Sequence, residues 1–160
     1  MAAPDRPLRA GEILEALVRG GVEFVVVGGI AVQAHGYIRG TRDVDIVPSP
    51  APAAARRLSQ ALSALGAEEV GRNEHLTRFE TRGGRLDVID LEEIAGATRS
   101  FKELRSRALV VNLDGVEIPV AGLDDLVRLK RAAGRPHDLV DIAALTRDDE
   151  ELEREAREST

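Results

Sequence analysis

Phe24-Val25-Val26-Val27-Gly28-Gly29, followed after a short interval by Asp43-Val44-Asp45-Ile46-Val47, is the stretch on which the fold turns. Four apolar residues at 24–27 read as a buried strand. Residues 30–35 look like a short helix entered straight from the glycines, which places Gly28-Gly29 at a strand-to-helix turn. In the second strand successive side chains point to opposite faces, so Asp43 and Asp45 leave one face while Val44 and Ile46 point to the core. Two carboxylates on one face call for a cation. A hard ion such as Mg2+ is held by one or two carboxylates together with substrate phosphates, and paired glycines let backbone N–H groups approach a phosphate with no Cβ in the way.

Upstream, Ile13, Leu14, Leu17 and Val18 recur at helical spacing before Gly20-Gly21 stop them. Downstream, Pro48, Pro50 and Pro52 end the acidic strand, and residues 53–65 have the composition and spacing of an amphipathic helix closed by Gly66. Residues 76–81 and 85–89 alternate across Arg82-Gly83-Gly84 as a hairpin whose second arm carries Asp87. A second hairpin joins 109–113 to 116–119 through Asp114-Gly115. Helices are expected at 123–133 and 136–145, separated by Gly134-Arg135, and residues 147–160 form a charged tail. No internal repeat or linker divides residues 1–146, so this is one α/β (α+β) domain with a mixed sheet flanked by helices.

The composition narrows the function. Of 160 residues only 2% are aromatic, so the core is aliphatic and no platform exists for stacking single-stranded bases. The net charge is −6, but the last fourteen residues hold seven acids and three bases, leaving the rest nearly neutral. The body lacks the basic excess of a protein that binds nucleic acid mainly through phosphates, although Arg39, Arg42, Lys130, Arg131 and Arg135 can form a local cluster. There is no cysteine, hence no disulfide or thiolate site, and the first residues have no apolar signal core. No run approaches the ~20 apolar residues of a membrane span, and a cytoplasmic protein with no membrane partner is expected.

The combined pattern is a glycine pair, thirteen residues, acid-apolar-acid-apolar, then a third acid on a later strand. It resembles the minimal nucleotidyltransferases of the DNA polymerase β-like superfamily. The run from Val26 to Gly36 with Arg39, Thr41, Arg42 and Asp43-Val44-Asp45-Ile46, and the run from Leu123 through Lys130 and Asp138 to Asp141, look especially like the small nucleotidyltransferases of bacterial abortive-infection and toxin–antitoxin systems. The resemblance covers about residues 10 to 146 and implies the polymerase β-like fold. It also implies Mg2+, as two ions, on Asp43, Asp45 and Asp87, with an NTP as substrate whose phosphates meet Gly28 and Gly29. In two-metal transfer one ion activates the attacking hydroxyl and the other stabilises the leaving pyrophosphate, and Asp87 can serve as general base.

Lys130 suits a triphosphate as a point charge, or is a solvated helix lysine. Arg39, Thr41 and Arg42 contact phosphates or steady their loop. Asp90 competes with Asp87, but Leu86 and Val88 flank Asp87 while Asp90 falls at the strand's end. His35 reads as a packing or hydrogen-bonding residue behind the turn. Asp138 can pair with Lys130 or Arg135. The glycine pair lacks the rest of a G-x-G-x-x-G, which disfavours a dinucleotide. The expected acceptor is a tRNA or protein hydroxyl, with a cognate antitoxin and a homodimer as further partners. An antibiotic nucleotidyltransferase is the alternative, using an acidic pocket from Glu68, Glu69, Glu92 and Glu93 or a dimer interface. A non-catalytic member that binds nucleotide or a partner chain is the other.

Overall fold

A computed structural model describes residues 7–91 and 100–146 together with 154, 157 and 158. Along the chain come α1 (Ala10–Arg19), β1 (Phe24–Val27), α2 (Gly28–Ala34), β2 (Asp43–Pro48), α3 (Pro52–Ala64), β3 (Glu68–Arg72), β4 (Leu76–Thr81), β5 (Gly84–Ile89), α4 (Phe101–Ser106), β6 (Leu109–Leu113), β7 (Val116–Val120), α5 (Leu123–Ala133) and α6 (Pro136–Thr146). Among the described residues the strands form one seven-stranded sheet in the order β3-β4-β5-β2-β1-β7-β6. It is mixed: β2 pairs parallel with β5 and β1 parallel with β7, while the other neighbours are antiparallel.

The alternation along β2 divides the two faces. Val44 and Ile46 are fully buried, and α1 and α3 pack against β2, with Ile13, Leu14 and Leu17 of α1 in the same aliphatic cluster. Asp43 and Asp45 point the other way, toward α5. The Asp45 face also buries Val25, Val27 and Val47, so its polar floor is confined to the end of the strands where Asp43, Asp45 and Asp87 meet.

Two elements go beyond the sequence reading. β3 is an exposed edge strand, Glu68-Glu69-Val70-Gly71-Arg72, with no apolar alternation and a register irregularity between Glu69 and Gly71; charges and a bulge are how sheets blunt a free edge. α4 carries a local signal that was readable: the Ser100 hydroxyl accepts from the Glu103 N–H at 3.2 Å, an N-cap on a Ser-x-x-Glu sequence, and Leu104 anchors the helix in the core. The first hairpin also differs, because Thr81 pairs directly with Gly84 and its turn is one residue shorter than expected.

Candidate active site

Hydrogen-bonded register places four side chains in one row across the sheet. Val27 of β1 stands opposite Asp45 of β2, Asp45 opposite Asp87 of β5, and Asp87 opposite Arg78 of β4. Aligned residues project to the same face, so the row floors a single cleft of about 520 Å3 whose walls include Gly28, Gly29, Arg39, Arg42, Leu129 and Lys130. A second row runs beside it, Asp43 opposite Arg85 and Arg85 opposite Glu80, with Arg85 3.3 Å from Glu80 and 3.8 Å from Asp43.

Asp43, Asp45 and Asp87 each present a carboxylate oxygen within 4.8 Å of the others. Asp90 lies outside this group and lines a separate hollow with His75 and Phe101. The three acids repel. Burial, then the charges of Asp87 and Asp43, push the Asp45 carboxyl up to about 7; burial and Asp87 also raise Asp43. Asp43 Oδ1 is buried without a hydrogen-bond partner. Three convergent carboxylates, of which Asp43 also has an oxygen without a hydrogen bond, fit a hard divalent cation, which would offset their mutual repulsion.

The glycines are sterically required. Gly28 has φ +68, and a Cβ there would overlap the Asp45 carboxylate. A Cβ on Gly29 would lie 2.5 Å from Thr41 Oγ1. The turn is thus packed directly against the acids and against the loop that delivers them. That loop is held from several sides: Thr41 Oγ1 donates to the Asp43 carbonyl at 3.1 Å, Gln33 Nε2 donates to the Arg39 carbonyl, and Arg39 forms a two-pronged pair with Asp141 at 2.8 Å on each prong. His35 Nε2 donates to the Ala121 carbonyl at 2.8 Å, tying the end of α2 to the end of β7; it is a structural hydrogen bond, as expected. Arg42 is exposed at the cleft.

Lys130 is neither solvated nor free. Its side chain is 7% exposed, with Nζ 2.9 Å from Asp141 and 3.4 Å from Asp138. Asp138 also takes Arg135 at 2.7 Å, so Arg39, Asp141, Lys130, Asp138 and Arg135 make one alternating chain that staples α5, α6 and the loop before β2. Burial acts to raise both aspartates, but Arg135 and Lys130 at Asp138, and Arg39 and Lys130 at Asp141, outweigh it and hold both carboxyls below the usual range. The sequence reading missed Arg78. Its guanidinium donates from Nε to Asp87 Oδ1 at 2.9 Å and from Nη2 to Oδ2 at 3.0 Å.

An acidic triad on adjacent strands, faced by a glycine turn and a basic wall, belongs to the nucleotidyltransferase fold. The chain is a member of the family described as "Nucleotidyltransferase of unknown function (DUF6036)", whose model matches residues 12–148. Among solved structures it is similar to the lincosamide antibiotic adenylyltransferase LnuA in its lincomycin-bound form (19% identity over 88% of this chain and 98% of that one, TM-score 0.62). It is also similar to an antigenic nucleotidyltransferase-like protein of Paracoccidioides brasiliensis (19% identity, 88% and 78%, TM-score 0.60). A third is ANT(2")-Ia in complex with adenylyl-2"-tobramycin (14% identity, 84% and 83%, TM-score 0.59). A search of the curated proteins finds no sequence match. These likenesses establish the fold, and the family match establishes the class.

Proposed function

We propose that this protein transfers a nucleoside monophosphate from an NTP to an acceptor hydroxyl on a tRNA or a protein, with release of pyrophosphate, in a cytoplasmic, toxin-like role with a cognate antitoxin. The observation that carries the reaction is the convergence of Asp43, Asp45 and Asp87 within 4.8 Å, directly beneath Gly28. Those three carboxylates would hold Mg2+, which when bound neutralises phosphate charge and lowers the pKa of the attacking hydroxyl. Gly28 and Gly29 line the cleft beside the acids, and their backbone would meet the triphosphate there. Lys130 and Arg39, fixed in place by Asp138 and Asp141, offer it positive charge, and Arg42 adds a cation at the rim. Asp87 takes the acceptor's proton as its oxygen bonds to the α-phosphorus and the bond to pyrophosphate breaks.

Arg39, Arg42, Arg78, Lys130 and Arg135 line the cleft together with Asp43, Asp45, Asp87 and Asp138, whereas Glu68 and Glu69, the candidates for holding a cationic drug, lie on the exposed edge strand β3; Glu92 and Glu93 fall outside the described residues. LnuA and ANT(2")-Ia share the fold, but Glu68 and Glu69 do not form an acidic pocket at this cleft. No helix among the described residues is long and apolar enough to cross a membrane. The toxin-like role and the antitoxin rest on the sequence resemblance.

The test is transfer of label from each α-labelled NTP, with Mg2+, into total RNA and cell protein. A labelled band lost in both Asp43→Ala and Asp45→Ala supports the reading and gives the acceptor class. Absence of label despite NTP binding shifts the assignment to a small-molecule acceptor or a non-catalytic binding role.

A further inference from the structure

Of the three carboxylates, Asp87 is the one already fully engaged. Both of its oxygens accept from Arg78, at 2.9 and 3.0 Å, and its side chain is 3% exposed. Asp43 is the opposite case: Oδ1 lacks a hydrogen bond, and its nearest cation, Arg85, stays 3.8 Å away. A fork of two charge-assisted hydrogen bonds is among the strongest contacts a carboxylate makes. A guanidinium kept solely to stabilise a buried acid needs no access to the substrate space, yet Arg78 lines the cleft and keeps 37% of its side chain exposed.

We propose that Arg78 competes with a divalent cation for Asp87, so that a first ion binds readily through Asp43 and Asp45 while a second, dependent on Asp87, enters only after the guanidinium lets go. The same planar fork that fits a carboxylate fits a phosphate. An arriving nucleotide therefore gives Arg78 an alternative anionic partner and releases Asp87, which makes full cation loading conditional on substrate. Arg78 is in this sense a positioning residue that sets the order of assembly. The inference rests on reading the triad as a metal site.

Mn2+ binding, followed by its electron paramagnetic resonance signal without turnover, tests it. Wild type should bind one Mn2+ alone and two with a non-hydrolysable NTP analogue. Arg78→Met, which keeps the stem and removes the fork, should bind two without nucleotide, the second at least about tenfold tighter than in wild type, as expected for losing a charged hydrogen-bonded competitor. Arg85→Met removes a nearby positive charge without freeing Asp87 and should remain at one. Arg78→Lys, whose single ammonium leaves one Asp87 oxygen open, should fall between and serves where Arg78→Met does not fold. Equal stoichiometry and affinity in wild type and Arg78→Met overturns the competition while leaving the metal site intact. A second ion gained equally by Arg85→Met also overturns it, reducing the effect to a general field. No Mn2+ in any variant, with or without the analogue, removes the metal reading and this inference with it.

Discussion

Asp45 and Asp87 stand opposite one another in register on the parallel pair β2 and β5, and that alignment loads the folded state with repulsion. Asp45 ordinarily titrates near 3.8, but in the fold it is pushed up to about 7 by burial and by Asp87 and Asp43. The folded chain then binds this proton more tightly than the unfolded chain, so the associated stability is present below about pH 4 and is lost as pH rises toward 7. A shift of this size corresponds at most to a few kcal/mol. Melting in EDTA should fall between pH 5 and 7.5, and Asp45→Asn should flatten the fall and melt several degrees higher at pH 8. A wild-type profile that is flat, or that rises, over this range would contradict the repulsion.

Asp43→Ala should drop transfer to background without cost to the fold. Asp43 is half-buried and its neighbour Val44, not Asp43, packs in the core. Removing a repelling carboxylate leaves melting unchanged or raised; persistent transfer activity would dismiss Asp43 as a ligand.

Lys130→Met should damage both stability and substrate binding. It strands Asp138 and Asp141, both buried, although Arg135 and Arg39 still neutralise them in part. Breaking a buried pair costs about 3–5 kcal/mol, and the remaining arginines should reduce this to roughly 2–3 kcal/mol. Thermal unfolding reads the first effect and the KM for NTP the second. A lowered melting point with an unchanged KM would confine Lys130 to the staple between α5 and α6.

Gly28 and Gly36 separate two costs of adding a methyl group. Both have positive φ, +68 and +98, but a Cβ on Gly36 meets nothing within 4 Å while one on Gly28 runs into Asp45. Gly36→Ala should lose only the backbone term, about 1–2 kcal/mol. Gly28→Ala should lose clearly more and also lose cation binding, measured by calorimetric titration with Mn2+. Equal losses in the two variants would mean that the turn can relax away from the acids.

Much of the site was legible because strand alternation is a local property: Asp43 and Asp45 on one face, Val44 and Ile46 on the other, and Asp87 preferred over Asp90 all follow from a period of two. What escaped depended on partners distant in sequence. A three-residue turn in the first hairpin sets Phe79 opposite Asp87; the observed pairing of Thr81 with Gly84 sets Arg78 there instead. A one-residue slip of this kind exchanges the faces of a strand, and with it the identity of the residue facing the triad. The burial of Lys130 went unread for a related reason, although its pairing with Asp138 did not. Lys130 follows Leu126 by four positions and shares its buried side of α5, a signal that its charge hid. Asp138 and Asp141, three apart on α6, supply the matching acids. β3 gave no signal at all, since a charged edge strand has no apolar face to declare it.

The row from Val27 to Arg78 also has the property of a ruler. Its marks are set by the pitch of hydrogen-bonded strands, about 4.8 Å, and cannot be spread without tearing the sheet. The opposing wall, by contrast, is built from helices joined by side-chain charges. Mutation can thus rebuild α5 and α6 while the interval between Asp45 and Asp87 stays where the backbone put it.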